Sequence, residues 1–190
     1  VGLLCFALPA RSAELRNYSV RSRVIEGGAA LKLSVPSAWL PLDTESPQVA
    51  NSWQVPTSSG IVLFQIILMP PSKPNLAPEE IARMIDDSVA GSPGTLGRGM
   101  TYAAGEKIDI DGAAAALVEF IFPQMTAEGG TIGYGIAANT VVKNTVVQFV
   151  MLANAMSATD ADSKLLLLTQ KPAFLGAIDS ARFNLADTPQ

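Results

Sequence analysis

The chain has 190 residues, of which 48% are hydrophobic and only 16% charged, with a formal net charge of −4. That length suits one domain around a single core, and that apolarity excludes a disordered chain. There is no histidine, and Cys5 is the one cysteine, so Ser–His–Asp and Cys–His catalysis, zinc knots and His-bearing catalytic metal sites lack their residues.

The 13 Lys and Arg residues lie scattered singly, which does not make the clustered basic surface that phosphate backbones require. Nucleic acid is therefore not an expected partner, and no motif asks for a cofactor.

The chain opens on an apolar run, Val1–Ala10 (VGLLCFALPA), followed by small residues at Ala10, Ser12 and Ala13. Cleavage after Ser12 sets Ala10 and Ser12 at the two small-residue positions of a signal-peptide site, whereas cleavage after Ala13 puts Arg11 at one of them. Residues 1–13 are read as a signal-peptide remnant, with a mature start at Ala13 or Glu14. Residues 14–190 form one domain, exported to the periplasm or secreted. Leu3 and Leu4 stand before Cys5 where a lipid-anchor motif wants small residues. Without Cys5 the domain has no disulfide, so its stability comes from the core. No other apolar run approaches the roughly 18 residues of a membrane span, and no transmembrane segment is expected.

Tyr18–Ile25 alternates apolar and polar residues and reads as a half-buried strand, broken by Gly27-Gly28. Ala30–Val35 alternates again, and Pro36–Trp39 turns the chain, with Trp39 placed to cover the end of the core. Residues 41–59 are rich in Pro, Ser and Thr and read as a long loop, holding at most a short strand around Trp53 and Val55. Gly60–Met69 (GIVLFQIILM) is almost wholly apolar, as in a central strand buried on both faces.

Ala77–Ala90 predicts a helix. Pro78, Glu79 and Glu80 suit its first turn, and Ile81, Met84, Ile85 and Val89 form one apolar stripe. Met100–Ile110 and Ala113–Phe122 flank Asp111-Gly112, the residues of a two-residue hairpin turn. Thr131–Val142 and Thr145–Ala153 likewise flank Lys143-Asn144, with 123–130 as the connecting loop. Together these runs predict an antiparallel four-strand meander. Thr159, Asp160 and Asp162 offer N-caps to a helix through Ser163–Leu168, which Pro172 interrupts or restarts before Ala173–Ala181.

Four stretches carry a resemblance: LKLSVPSAW at Leu31–Trp39, LAPEEIARMI at Leu76–Ile85, IDIDGAAAALVEF at Ile108–Phe120 and FLGAIDSARF at Phe174–Phe183. Over roughly residues 17–184 the chain resembles the PsbP-like superfamily, which includes DcrB-type bacterial envelope proteins and a eukaryotic Ran-binding protein. The resemblance implies an α+β fold, an antiparallel sheet flanked by helices as an α/β/α sandwich. It also implies an accessory or binding role with no shared catalytic set.

No constellation of residues points to chemistry. Gly91–Gly99 follows a helix and lacks the lysine of a phosphate loop, so it is a connector. Asp109–Gly112 lacks the remaining ligands of a calcium loop and is a hairpin turn. Asp86 and Asp87 point about 100° apart on their helix and do not face one another. Trp39 reads as a core lid. Trp53, with Gln54 and Val55, is the candidate contact region, because it sits in a long polar segment and long ordered loops often carry function. The expected function is a non-enzymatic exported accessory protein that contacts another envelope protein. The alternative is a carrier with an apolar ligand pocket between sheet and helices.

Overall fold

The structure is a computed structural model, and it describes residues 14–126, 129–155 and 160–183. The leader of residues 1–13, the cap residue Thr159 and residues 184–190 lie outside the described residues.

Ten strands and two helices are described. A small antiparallel sheet joins β1 (Leu15–Arg21), β2 (Ala30–Pro36) and β10 (Arg182–Phe183) in the order β1-β2-β10. The large sheet contains β3 (Leu40–Leu42), β4 (Val49–Val55), β5 (Gly60–Met69), β6 (Thr101–Ile110), β7 (Ala113–Thr126), β8 (Gly129–Val142) and β9 (Thr145–Ala155). Its order is β3-β4-β5-β9-β8-β7-β6, with every pair antiparallel. Helix α1 (Pro78–Val89) packs on one face, and α2 (Asp160–Asp179) with the small sheet packs on the other. The fold is α+β, an antiparallel sheet with a four-strand meander flanked by helices.

Both meander turns form as their residues dictate. Asp111 and Gly112 have φ of 52° and 81°, and Lys143 and Asn144 have φ of 45° and 53°. Asn and Asp tolerate this region and Gly adopts it freely, so the turn twist matches the strands. Asp111 also accepts the Phe183 N–H at 2.7 Å, which ties the first hairpin to β10.

Alternation decides the core. Val62, Phe64, Ile66 and Leu68 of β5 are at most 1% exposed. They face Val147, Phe149, Met151 and Ala153 of β9 within the main cluster, under Leu166, Leu167, Phe174 and Ile178 of α2. The buried residues of α2 recur at helical spacing, which is why the helix seats along the sheet. Ser163 accepts the Ala155 N–H at 3.0 Å and pins the start of α2 to the end of β9. At the other end, Ser180 accepts the Ser34 N–H at 2.8 Å.

Helix α1 covers less. Ile85 is buried against Ala116 and Val118 of β7, with Ile81, Val89, Leu96 and Tyr102 around them. The Tyr102 hydroxyl donates to the Val89 carbonyl at 2.6 Å. At the start of α1, Glu80 accepts the Ala77 N–H at 3.0 Å and pairs with Lys73. These contacts hold its carboxyl below the ordinary value of 4.5, the Lys73 hydrogen bond first and the Ala77 N–H second.

Four expectations are corrected. Residues 41–59 are not one loop, because β3 and β4 lie within or across that range. Strand β5 is buried on one face only: Ile61 is 46% exposed, and Leu63, Ile67 and Met69 are half-buried. Residues 123–130 are not an open loop, since β7 and β8 stay paired out to Thr126 and Gly129. Pro172 does not divide α2, which runs on from Asp160 to Asp179. Pro172 is exposed, and on the solvent side of a helix the ring and the carbonyl it releases are tolerated.

Candidate functional site

Strand alternation sorts the predicted contact residues. Trp53 is fully buried and Val55 is 3% exposed, both in the main core. Trp53 stacks on Phe64 with ring centroids 5.4 Å apart and meets the edge of Tyr18 at 5.1 Å. Gln54 points to the opposite side of the sheet, where it is half-buried between Leu40 and Leu63 on the neighbouring strands. Neighbours on a strand face opposite ways, so the three do not make one surface. Trp39, expected as a lid, is buried against Phe64 at 5.1 Å.

At the surface the 41–59 segment presents the connection from β3 to β4 and the turn after β4, and that turn borders an open groove. The groove encloses about 690 Å³ between Pro56, Thr57, Ser58 and Ser59 on one side and Leu165 and Thr169 of α2 on the other. Each wall is held. Thr57 donates to the Gly60 carbonyl and closes the turn, and Thr169 donates to the Leu165 carbonyl at 2.8 Å. Gly60 lies beneath Leu166, and a Cβ there would fall 2.4 Å from the Asn154 carbonyl oxygen and 2.6 Å from Leu166. A glycine is therefore required for β5 to start so close under the helix.

The groove is hydroxyl-rich on one wall, and on the α2 wall Leu165 and Leu166 stand among Asp162, Thr169 and Gln170. Leu165 is 62% exposed at its rim, while Leu166 is buried at its base. The sequence carried a signal for this exposure. Leu165–Leu168 are four consecutive leucines, and on a helix four consecutive side chains cover a full turn. Leu166 and Leu167 face the core, so Leu165 and Leu168 are left outward.

A smaller cleft of about 220 Å³ lies between β6, β7 and Lys171 of α2, beside the ion pair of Lys171 and Glu119 at 2.7 Å. The space between α1 and the sheet, lined by Met84, Ile85 and Val146, measures about 30 Å³. That is about the volume of one water molecule. Among the described residues no group of three or more Asp, Glu, His or Cys is arranged to hold a metal ion. Among them too, no helix is long and apolar enough to cross a membrane.

No family model matches the chain, and no curated protein sequence matches it. Solved structures do. PA94 of Pseudomonas aeruginosa, of unknown function, aligns over 93% of this chain and 99% of its own at 18% identity and a TM-score of 0.47. A Bacteroides thetaiotaomicron structure aligns over 84% of this chain and 47% of its own at 12% identity and a TM-score of 0.43. LpqN, involved in cell envelope biogenesis of Mycobacterium tuberculosis, aligns over 89% of this chain and 91% of its own, with 13% identity and a TM-score of 0.54. What the chain shares with LpqN at that identity is the fold.

Proposed function

We propose that the protein is a non-enzymatic accessory protein of the cell envelope, exported by its leader, and that it holds a segment of another envelope protein in the groove along α2. The groove carries the reading. It sets the exposed Leu165, with polar Asp162, Thr169 and Gln170 around it, across from a row of hydroxyls, which suits an apolar anchor flanked by backbone hydrogen bonds. The apolar leader with its small residues supports export. The shared fold with LpqN, a protein of envelope biogenesis, is in keeping with it. The finer kinship with PsbP-like and DcrB-type proteins remains part of this proposal. It rests on the four sequence stretches and on the sandwich they imply.

The second reading is a carrier of a small apolar ligand. The groove is large enough for one, whereas the space under α1 is not. Native mass spectrometry of the protein purified gently from its own envelope separates the two. The proposal expects an added mass of several kilodaltons or more, identified as one polypeptide and lost in Leu165→Asp. Leu165 is exposed, so this variant keeps its fold by circular dichroism. An added mass of a few hundred daltons transfers the groove to the carrier reading. A polypeptide retained equally by Leu165→Asp removes the groove from the proposal.

A further inference from the structure

The large sheet has two unequal faces. One is covered by α2 and the small sheet. On the other, α1 packs on β6, β7 and part of β8 and reaches Val146 at the start of β9, while no described helix packs over β3, β4, β5 and the rest of β9. Register places Leu40 and Leu42 on this open side, together with Leu63 of β5 and its partner Leu152 of β9. Leu40 is 55% exposed and Ile61, on the same side, 46%.

Two features of this face bear on what covers it. First, β5 is apolar on both sides except at Gln65, close to the pattern of a strand buried on both faces. The single chain buries only Val62, Phe64, Ile66 and Leu68, and leaves Ile61, Leu63, Ile67 and Met69 without a layer above them. Second, the open positions of β3, β4, β5 and β9 hold no Asp, Glu, Lys or Arg. Their polar members are Ser52 and amides such as Gln54, Gln65 and Gln148.

We infer that this open face closes on the same face of a second copy, the two sheets stacking across a two-fold axis. A two-fold interface brings a patch against itself, so any charge near the axis meets its own like. This face has none to repel. An amide both donates and accepts, so a glutamine can pair with the glutamine of a symmetry mate, which a carboxylate or an ammonium cannot do. The area suffices. Strands about 4.8 Å apart with about 3.3 Å per residue give the four open strands roughly 500 Å² of flat surface. Two copies together reach roughly 1,000 Å², the lower limit for a specific interface. Sheets stack about 10 Å apart, which leaves room for Leu63, Leu152 and their mates to interdigitate. This surface is separate from the groove along α2, and the inference stands whether or not that groove binds a partner.

Sedimentation equilibrium of the full chain tests it, with Leu63→Glu and, as a second variant, Ile61→Glu. Ile61 is exposed enough for the fold to tolerate the change should Leu63→Glu fail to fold. Wild type is expected to show twice the chain mass. Each folded variant is expected to show half the wild-type mass, because the carboxylate is carried into a desolvated patch beside its own mate. Leu165→Asp is expected to stay dimeric. A wild type that is still monomeric at about 100 μM, where a dimer of micromolar affinity would be almost fully formed, overturns the inference. So does a dimer that survives both charge substitutions, since the contact then lies elsewhere, such as along the β6 edge.

Discussion

Trp53 lies over Phe64 with their ring planes 29° apart, yet its indole N–H has no hydrogen-bond partner among the described residues. A buried N–H left unsatisfied costs about 1–3 kcal/mol, and this offsets part of what the large ring contributes through burial. Trp53→Phe discards the orphan donor while keeping an aromatic ring. It is expected to cost less than about 1.5 kcal/mol, whereas Trp53→Ala is expected to cost about 3–5 kcal/mol. Urea denaturation of the two variants checks this. Equal losses would mean that the N–H is satisfied.

Phe120 and Phe122 lie across glycines of the next strand. A Cβ on Gly135 would fall 2.4 Å from the Phe120 ring, and one on Gly133 would fall 2.2 Å from Phe122. Gly135→Ala is expected to destabilise by about 1–3 kcal/mol through overpacking. Phe120→Leu in the same background should recover part of the loss, the signature of coupled neighbours. Thermal melts of the two single variants and the double variant decide it, and strictly additive effects would refute the contact.

Ser180 accepts the Ser34 N–H at 2.8 Å, while its own hydrogen reaches the Ala177 carbonyl at 2.7 Å. Ser180→Ala leaves the Ser34 amide unpaired at a half-buried site and is expected to cost about 1–3 kcal/mol. The Ser34 amide should also exchange faster with solvent in the variant. Unchanged exchange at Ser34 would count against a role for this hydroxyl in holding β2 to α2.

The Glu80 carboxylate, held below its ordinary value by Lys73 and the Ala77 N–H, gives a pH dependence of known sign. A depressed carboxylate contributes stability that is present above its unfolded value and lost as pH falls through the lower folded value. The first turn of α1 is therefore expected to loosen below about pH 4.5, with Glu80→Gln flattening that part of the profile. Amide exchange at Ala77 and Ile81, followed from pH 6 down to pH 3, reads it. Identical profiles for wild type and variant would exclude Glu80 as the cause.

Strand and turn chemistry was legible where it was local. Asp111-Gly112 and Lys143-Asn144 announced their turns, and the stripe of Ile81, Ile85 and Val89 announced α1. Residues 41–59 misled because β4 breaks its own period. The register shifts between Val49 and Asn51, and Ser52 and Trp53 are buried side by side on opposite faces, so no clean alternation shows. Pro172 misled because a proline at a solvent-facing position removes a hydrogen bond without a clash against the core. The groove was half legible. The four leucines of α2 had to leave some side chains outward, but which pair, and what faced them, depended on how the helix settled on β9.

The pairing of β5 with β9 has a kinetic consequence. Meander strands meet their sequence neighbours across short connections, but Gly60 meets Ala155 and Met69 meets Val146 only after α1 and the whole meander have been bridged. Closing so long a loop costs chain entropy before any ladder forms. The meander is thus expected to assemble first and to present β9 as the edge on which β5 docks, bringing β3 and β4 with it. In pulsed hydrogen exchange during refolding, amides of β7 and β8 should be protected before those of β4. Simultaneous protection would mean that the sheet forms in one step.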